Sequence, residues 1–258
     1  WHPFIMALQY TENYACRHAD LVTAVPQNSK DYLISRGMIA SKFLHIGNGY
    51  TEKSEREQST LMPTHRNVIE SLKTAGIFIF WYCGTLGRAN AMHVALHAIK
   101  QTSNKNIHLV IIGEGNHKQD LEKLANDLNI TDRVHFLPAV PHDQISDFLS
   151  MIDIAYIGLL NSKLFNYGAS PAKINDYMAA GKPIVYAINA PNNPIEQSGG
   201  GILCEAENVE QIAMAMDSLS QKTTEELSAM GQKGKKWLMC NQTVEKQVHK
   251  ILEKLRDS

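Results

Sequence analysis

From residue 77 onward, short apolar runs alternate with stretches of helical period, a rhythm that few folds accept. Runs such as "HLVIIG" and "KPIVYAI" are apolar on both faces, so as strands they must be covered above and below, and the amphipathic segments between them supply the cover. The pattern therefore predicts an α/β chain whose core is a Rossmann-like, parallel six-stranded sheet with flanking helices. Strands are expected at 77–84, 107–113, 133–138, 153–159, 182–188 and 201–204. Helices are expected near 89–101, 117–128, 142–151, 171–180 and 207–220, with two more, 223–239 and 242–256, closing the chain. Right-handed crossovers bring strand ends and helix starts to one edge of such a sheet, so residues that carry chemistry should follow strands directly.

The first 50 residues repeat this rhythm on a small scale. A helix around 6–18, the strand "DLVTAV", a helix around 28–37 and the strand "KFLHIGNGY" read as the remnant (1–50) of an N-terminal α/β domain. A charged, turn-rich linker (51–76), a ligand-binding domain (77–240) and a C-terminal helix (241–258) packing back toward the N-terminal domain are expected to follow. The chain starts at Trp1, and its first 22 residues form neither a signal peptide nor a clean domain start, so the front of a larger protein is expected to precede it.

Composition removes several classes of function. Lys+Arg 25 against Asp+Glu 26 leaves a net charge of -1, which gives no general attraction for nucleic acid. The four cysteines lack CxxC spacing and sit mostly in apolar segments, as buried free thiols of a reduced, cytoplasmic protein would. No apolar run reaches the length of a membrane span. The eleven histidines show no HExxH or paired ligand spacing and no DxD occurs, so no metal is expected. GxSxG and the Walker GxxxxGK[ST] are absent, and Gly113-Glu-Gly115 lacks the third glycine of a dinucleotide fingerprint.

Two segments remain as candidate sites. In "SPAKINDYMAAGKP" (170–183), Ser170 reads as a helix N-cap, Pro171 as the first helical position and Gly181 as the stop. Lys173 in the first turn opposes the helix dipole by a few tenths to about 1 kcal/mol, a cost that a bound anion would offset. Asp176, three residues on, fits two accounts: a solvated Lys–Asp pair worth under about 1 kcal/mol, or a phosphate held by Lys173 with sugar hydroxyls on Asp176. Spacing does not choose between them. In "YCGTLGRAN" (82–90), Gly84 and Gly87 would let a ligand approach the backbone and Arg88 could grip phosphate oxygens, or the segment is an ordinary turn with an exposed arginine.

Taken in order, "HADLVTAVPQNSKDYL", "KFLHIGNGY", "WYCGTLGRANAMHVALHAI", "HLVIIGEGNHKQDLEKLA", "RVHFLPAVPHDQISDFLSMIDIAY", "SPAKINDYMAAGKPIV" and "SGGGILCEAENVEQIAMAM" resemble the family-4 glycosyltransferases of the GT-B fold, which use nucleotide sugars. The similarity is greatest to bacterial enzymes that build O-antigen, capsule or exopolysaccharide. It implies two Rossmann-like domains, of which the C-terminal one binds the donor. It also implies transfer with retention, without metal or cofactor, from a nucleotide-diphosphate sugar to a glycan or polyprenyl-linked acceptor.

Carried over by position, the resemblance makes Arg88 and Lys173 the charges that stabilise the leaving diphosphate, with Gly84, Leu86, Gly87, Ser170, Pro171 and Ala172 around it. Ala139 and Val140 would meet the base, and Asp176 the ribose. Gly168 stands where the family places an acid against the sugar, and the basic residue that often follows the GxLGR arginine is absent at Ala91-Met92. Lys233, Lys235, Lys236 and Trp237 form either a solvated helix face or a peripheral contact with the inner membrane. A sugar-nucleotide epimerase of the same architecture and a non-catalytic nucleotide-sugar-binding module are the competing readings.

Overall fold

A computed structural model describes residues 2–52, 62–191 and 193–256. The six expected strands form within one or two residues of the expected limits, as β3 (Phe78–Cys83), β4 (Ile107–Ile112), β5 (Val134–Leu137), β6 (Ile154–Gly158), β7 (Ile184–Ala187) and β8 (Gly201–Cys204). All neighbours pair in parallel, in the order β5-β4-β3-β6-β7-β8. Strand order reverses between β3 and β6, so the loops after these two strands diverge to opposite sides and leave a crevice at their carboxyl ends.

Both faces are covered, as the apolar runs require. On one face α4 (Met92–Gln101), α5 (Lys118–Asp127) and α9 (Val209–Ser220) pack on Phe80, Leu109, Ile111, Tyr156 and Val185. On the other, α6 (Ile145–Met151), α7 (Lys173–Ala179), α8 (Pro194–Ser198) and α10 (Thr224–Asn241) cover Trp81, Val110, Ile157 and Tyr186. The helix α10 starts with a capping box, in which the Thr223 hydroxyl accepts from the Glu226 amide and the Glu226 carboxylate accepts from the Thr223 amide.

The stretch expected to be a linker is only partly one. Residues 63–74 form α3 (Pro63–Thr74), with Pro63 at a position where no amide donor is needed, and α3 buries His65 and Ile69 against the sheet. The apolar spacing Val68, Ile69, Leu72 is helical, yet the charged residues around it hid the signal. Residues 53–61 of the expected linker lie outside the described residues.

The N-terminal segment contains α1 (Pro3–His18), α2 (Lys30–Ser35) and a separate two-stranded parallel sheet, β1 (Val22–Ala24) with β2 (Phe43–His45). Asn48 ties this segment to the larger domain. Its amide nitrogen donates to the Ser170 carbonyl and hydroxyl at 2.9 and 3.1 Å, and its carbonyl accepts from Asn175 at 2.8 Å. The closing helix α11 (Val244–Arg256) adds a second tie through Gln247, whose side chain accepts from Gly47 and donates to Asn241. Backbone bonds join Tyr50 to Gln242 and Val244 beside it. Among the described residues no helix is long and apolar enough to cross a membrane.

Candidate active site

A cleft of about 1070 Å³ opens at the crevice between β3 and β6 and extends to the N-terminal segment. Gly84, Thr85 and Asn90 line it from the loop after β3, and Ser170 through Lys173 with Asp176 line it from the start of α7. Gly84 has φ +148, a backbone conformation that favours glycine, and a Cβ there would lie 2.9 Å from the Lys173 Nζ atom and push the ammonium aside.

Lys173 is the centre of the arrangement. Its Nζ donates to the Tyr82 hydroxyl at 2.9 Å, approaches Asn90 Oδ1 at 3.4 Å and lies 4.0 Å from the Tyr82 ring centroid. These partners are neutral. Burial lowers the lysine to about 8. Burial also pushes Cys83, which lines the same cleft, up to about 11, so it faces the ammonium as a neutral thiol. The result is a half-buried cation whose charge is solvated by one hydroxyl, one amide and a ring face, a state that a bound anion would improve.

The surface-pair account of Lys173 and Asp176 does not hold. Although three residues apart, their side chains diverge: Lys173 turns toward β3, and Asp176 accepts from His142 Nε2 at 3.3 Å with its carboxylate 23% exposed. His142 belongs to the loop after β5 and lines the cleft. That loop is anchored by the buried His65 of α3, whose Nε2 lies 2.9 Å from the Pro138 carbonyl.

The start of α7 also differs from expectation. The helix begins at Lys173, with Ala172 as its N-cap, and the preceding turn is closed by Ile174 and Asn175 amides bonding the Pro171 and Ala172 carbonyls. Ser170 therefore does not cap the helix: it lies two residues before the N-cap, and its hydroxyl accepts from Asn48 instead. Pro171 precedes the helix instead of opening it. With only seven residues, α7 contributes a small dipole, and the charge at the cleft floor comes mainly from Lys173.

The remaining sequence candidates separate. Arg88 is exposed and, with Gly87, lines a second groove of about 380 Å³ between α4 and α5, beside His93, His117 and Lys123. Leu86 is buried in the core, and its amide donates to the Glu114 carbonyl. Ala139 is exposed and Val140 packs against the core under α6. Tyr82, Asn90, His142 and Asn48 were not singled out in the sequence, because each acts through a partner distant along the chain. Asn90 carried the one available signal, its place at the end of a glycine-rich turn.

Gly168, where an acid was expected, has φ +117, and a Cβ would meet the Gln27 amide at 3.3 Å and Pro26 Cα at 3.4 Å. The turn Pro26–Gln27 of the N-terminal segment occupies the space into which a side chain would grow, and the left-handed backbone adds about 1–2 kcal/mol against any non-glycine residue. The position is glycine for a structural reason.

The architecture matches known proteins. A structure of the Anabaena protein Alr3699/HepE in complex with UDP and glucose superimposes with a TM-score of 0.77 at 19% identity, covering 98% of this chain and 67% of that one. Sucrose-phosphate synthase from Thermosynechococcus elongatus gives 0.71 at 14% identity, over 98% of this chain and 61% of that one. An uncharacterized glycosyltransferase of Haemophilus influenzae is 30% identical over 113 residues, 43% of this chain and 30% of the relative's own length. The chain thus aligns with under a third of that curated relative. The family model "Glycosyl transferases group 1" matches residues 65–237, about two thirds of the chain, a span that contains the whole six-stranded sheet with α7 and most of α10. This chain, with its GT-B-type parallel sheet and its cleft at the strand-order reversal, belongs to the group 1 glycosyl transferases.

Proposed function

We propose that the cleft binds a nucleotide-diphosphate sugar and that the protein containing this chain transfers the sugar to a glycan or polyprenyl-linked acceptor. The observation that carries this reading is Lys173: a half-buried ammonium with only neutral partners, set at the switch point of the sheet beside a glycine that makes room for it. The relative from Anabaena, which holds UDP and glucose, supports a uridine nucleotide as the first ligand to try.

Breaking the sugar–phosphate bond builds negative charge on the departing diphosphate, and fixed donors aimed at that charge are usually the largest catalytic contribution. Lys173 meets it from the cleft floor, and the amides of Ala172 and Lys173 adjoin it. Arg88 can assist only by turning from its own groove into the cleft. Asp176 exchanges His142 for ribose hydroxyls, and the loop at Ala139 and Val140 faces the base. Transfer with retention, chemistry without a bound metal, membership of family 4 and a role in cell-surface polysaccharide synthesis at the cytoplasmic face of the inner membrane complete the proposal. The similarity of the quoted motifs to such enzymes supports these points.

A thermal-shift screen with UDP-, GDP- and ADP-sugars tests the donor assignment. One nucleotide class should stabilise the parent chain and fail to stabilise Lys173→Ala, and a flat response to all three would remove the reading. Gly168 favours one competitor, a non-catalytic nucleotide-sugar-binding module, since the chain carries no acid there and its backbone disfavours one. Nucleotide release by the full-length protein only in the presence of an acceptor would exclude that competitor.

A further inference from the structure

The partners of Lys173 are of two kinds. Asn90 lines the cleft, and its Oδ1 lies 3.4 Å from the Lys173 Nζ, at the long limit of a hydrogen bond. Tyr82, in β3, is fully buried, and its hydroxyl meets the same Nζ at 2.9 Å. A side chain with no exposed surface cannot touch a ligand in the cleft, so whatever Tyr82 does for the site it does through Lys173.

The Tyr82 hydroxyl is aimed by its surroundings. An ammonium has no lone pair and only donates, so the phenol proton goes elsewhere, to the Thr85 carbonyl at 2.8 Å. That carbonyl also accepts from Asn90 Nδ2 at 3.0 Å. Tyr82 and Asn90 therefore join the same two groups, and tie the loop after β3 to the ammonium at the start of α7. The Tyr82 ring adds a further contact, its centroid 4.0 Å from the Nζ. A Cβ at Gly84 would press on both members of the pair, 2.9 Å from the Nζ and 3.3 Å from the Tyr82 hydroxyl oxygen.

Stabilising a developing charge depends on donors that are in place before the charge appears. A lysine on its flexible four-carbon stem does not fix its own position. We infer that Tyr82 is a positioning residue of the site: its hydroxyl and ring hold the Lys173 ammonium at the cleft floor, ready for the donor diphosphate, and Asn90 is the partner that phosphate oxygens replace. The use made of the held ammonium rests on the donor reading above; the holding itself does not.

An NMR titration of protein isotope-labelled at the lysine ε-carbons follows Lys173 without any nucleotide, its signal identified by its loss in Lys173→Ala. The ionisable groups around it are Tyr82 and Cys83 of β3, Asp176 of its own helix and His142 of the loop after β5. Burial raises Tyr82 and Cys83, so both stay neutral while the lysine titrates near 8. Tyr82→Phe keeps the ring and removes one hydrogen bond to the charged form, which should lower the midpoint by about half to one pH unit. UDP affinity at pH 7 should fall by roughly 2- to 13-fold in the same variant. Tyr186→Phe is the control, because the Tyr186 hydroxyl in β7 is buried without a hydrogen-bond partner among the described residues, and its loss should move neither quantity.

A purely structural Tyr82 would change the melting temperature alone, so a Tyr82→Phe midpoint within about 0.2 unit of the parent's overturns the proposal. A rise toward the ordinary 10.5 would show the ammonium released to water, the same role exerted more strongly. Should Tyr82→Phe not fold, the parent decides: the ε protons of Lys173 should be shifted upfield by the Tyr82 ring, and ordinary shifts would overturn the proposal. A moved midpoint without UDP binding to the parent would remove the donor reading alone.

Discussion

Lys173 and Arg88 carry the same charge and stand at the mouths of neighbouring loops, yet the fold treats them differently. Lys173 is drawn into the cleft, solvated by Tyr82 and Asn90, and its affinity for a proton falls to about 8. Arg88 stays exposed over a separate groove, beside His93 and His117. A glycine-rich turn ending in arginine has the composition of a phosphate grip, but the direction of the side chain is set by packing. Here the Leu86 backbone is fixed by Glu114 and His117, and the 3₁₀ turn Arg88–Asn90 directs Asn90 toward the cleft and Arg88 away from it.

The difference can be broken or sharpened by measurement. Lys173→Ala should have the largest effect, a fall in UDP affinity of roughly 10- to 150-fold, as expected for losing a charge-assisted contact of about 1.5–3 kcal/mol. Titration calorimetry would show it, and an unchanged affinity would return Lys173 to a structural role.

The pH dependence should come next. Because the lysine titrates near 8, UDP affinity should drop by up to about tenfold between pH 8 and 9 as the free ammonium loses its proton. Binding in that window should take up a proton, seen as a dependence of the calorimetric heat on the buffer. The same shift bears on stability with the opposite sense: an unfolded lysine holds its proton up to its ordinary value of 10.5. The lysine's contribution to the stability of the unliganded fold therefore rises with pH from about 8, until Cys83 and Cys204, both raised to about 11 from 9.0, begin to oppose it above pH 9.

Asp176→Asn should weaken UDP by roughly 2- to 13-fold, the range of an ordinary hydrogen bond, and leave the unliganded melting temperature almost unchanged because its His142 partner is largely exposed. The smallest effect should be that of Arg88→Ala, under about threefold on UDP affinity, as for an exposed charge. A loss equal to that of Lys173→Ala would show that Arg88 swings into the cleft when the donor binds.

The six strands were legible because each apolar run is buried on both faces, and the helices between them because amphipathic segments have nowhere else to lie. α3 was missed since its apolar positions are few and sit among charged residues that read as a loop, while α8 is too short to show a period. Of the residues that line the cleft, Lys173, Asp176 and Gly84 were legible from their positions after strands and at the start of a helix. The cap role of Ser170 failed because the helix starts later, after an Ala172 N-cap, and the Ser170 hydroxyl accepts from Asn48, 122 residues away. His142 gave no signal of its own; only the loop after β5, held by His65, brings it to Asp176.

By itself the sequence determined the parallel sheet, its flanking helices and the edge at which the cleft opens, since these follow from periodicity and the right-handed crossover, both local properties of the chain. The tertiary structure decided which cation enters the cleft, which hydroxyl meets it there, whom Asp176 meets and why residue 168 is glycine. Each of those depends on contacts between segments far apart in the chain, where packing and solvation of particular atoms, and not spacing, fix the outcome.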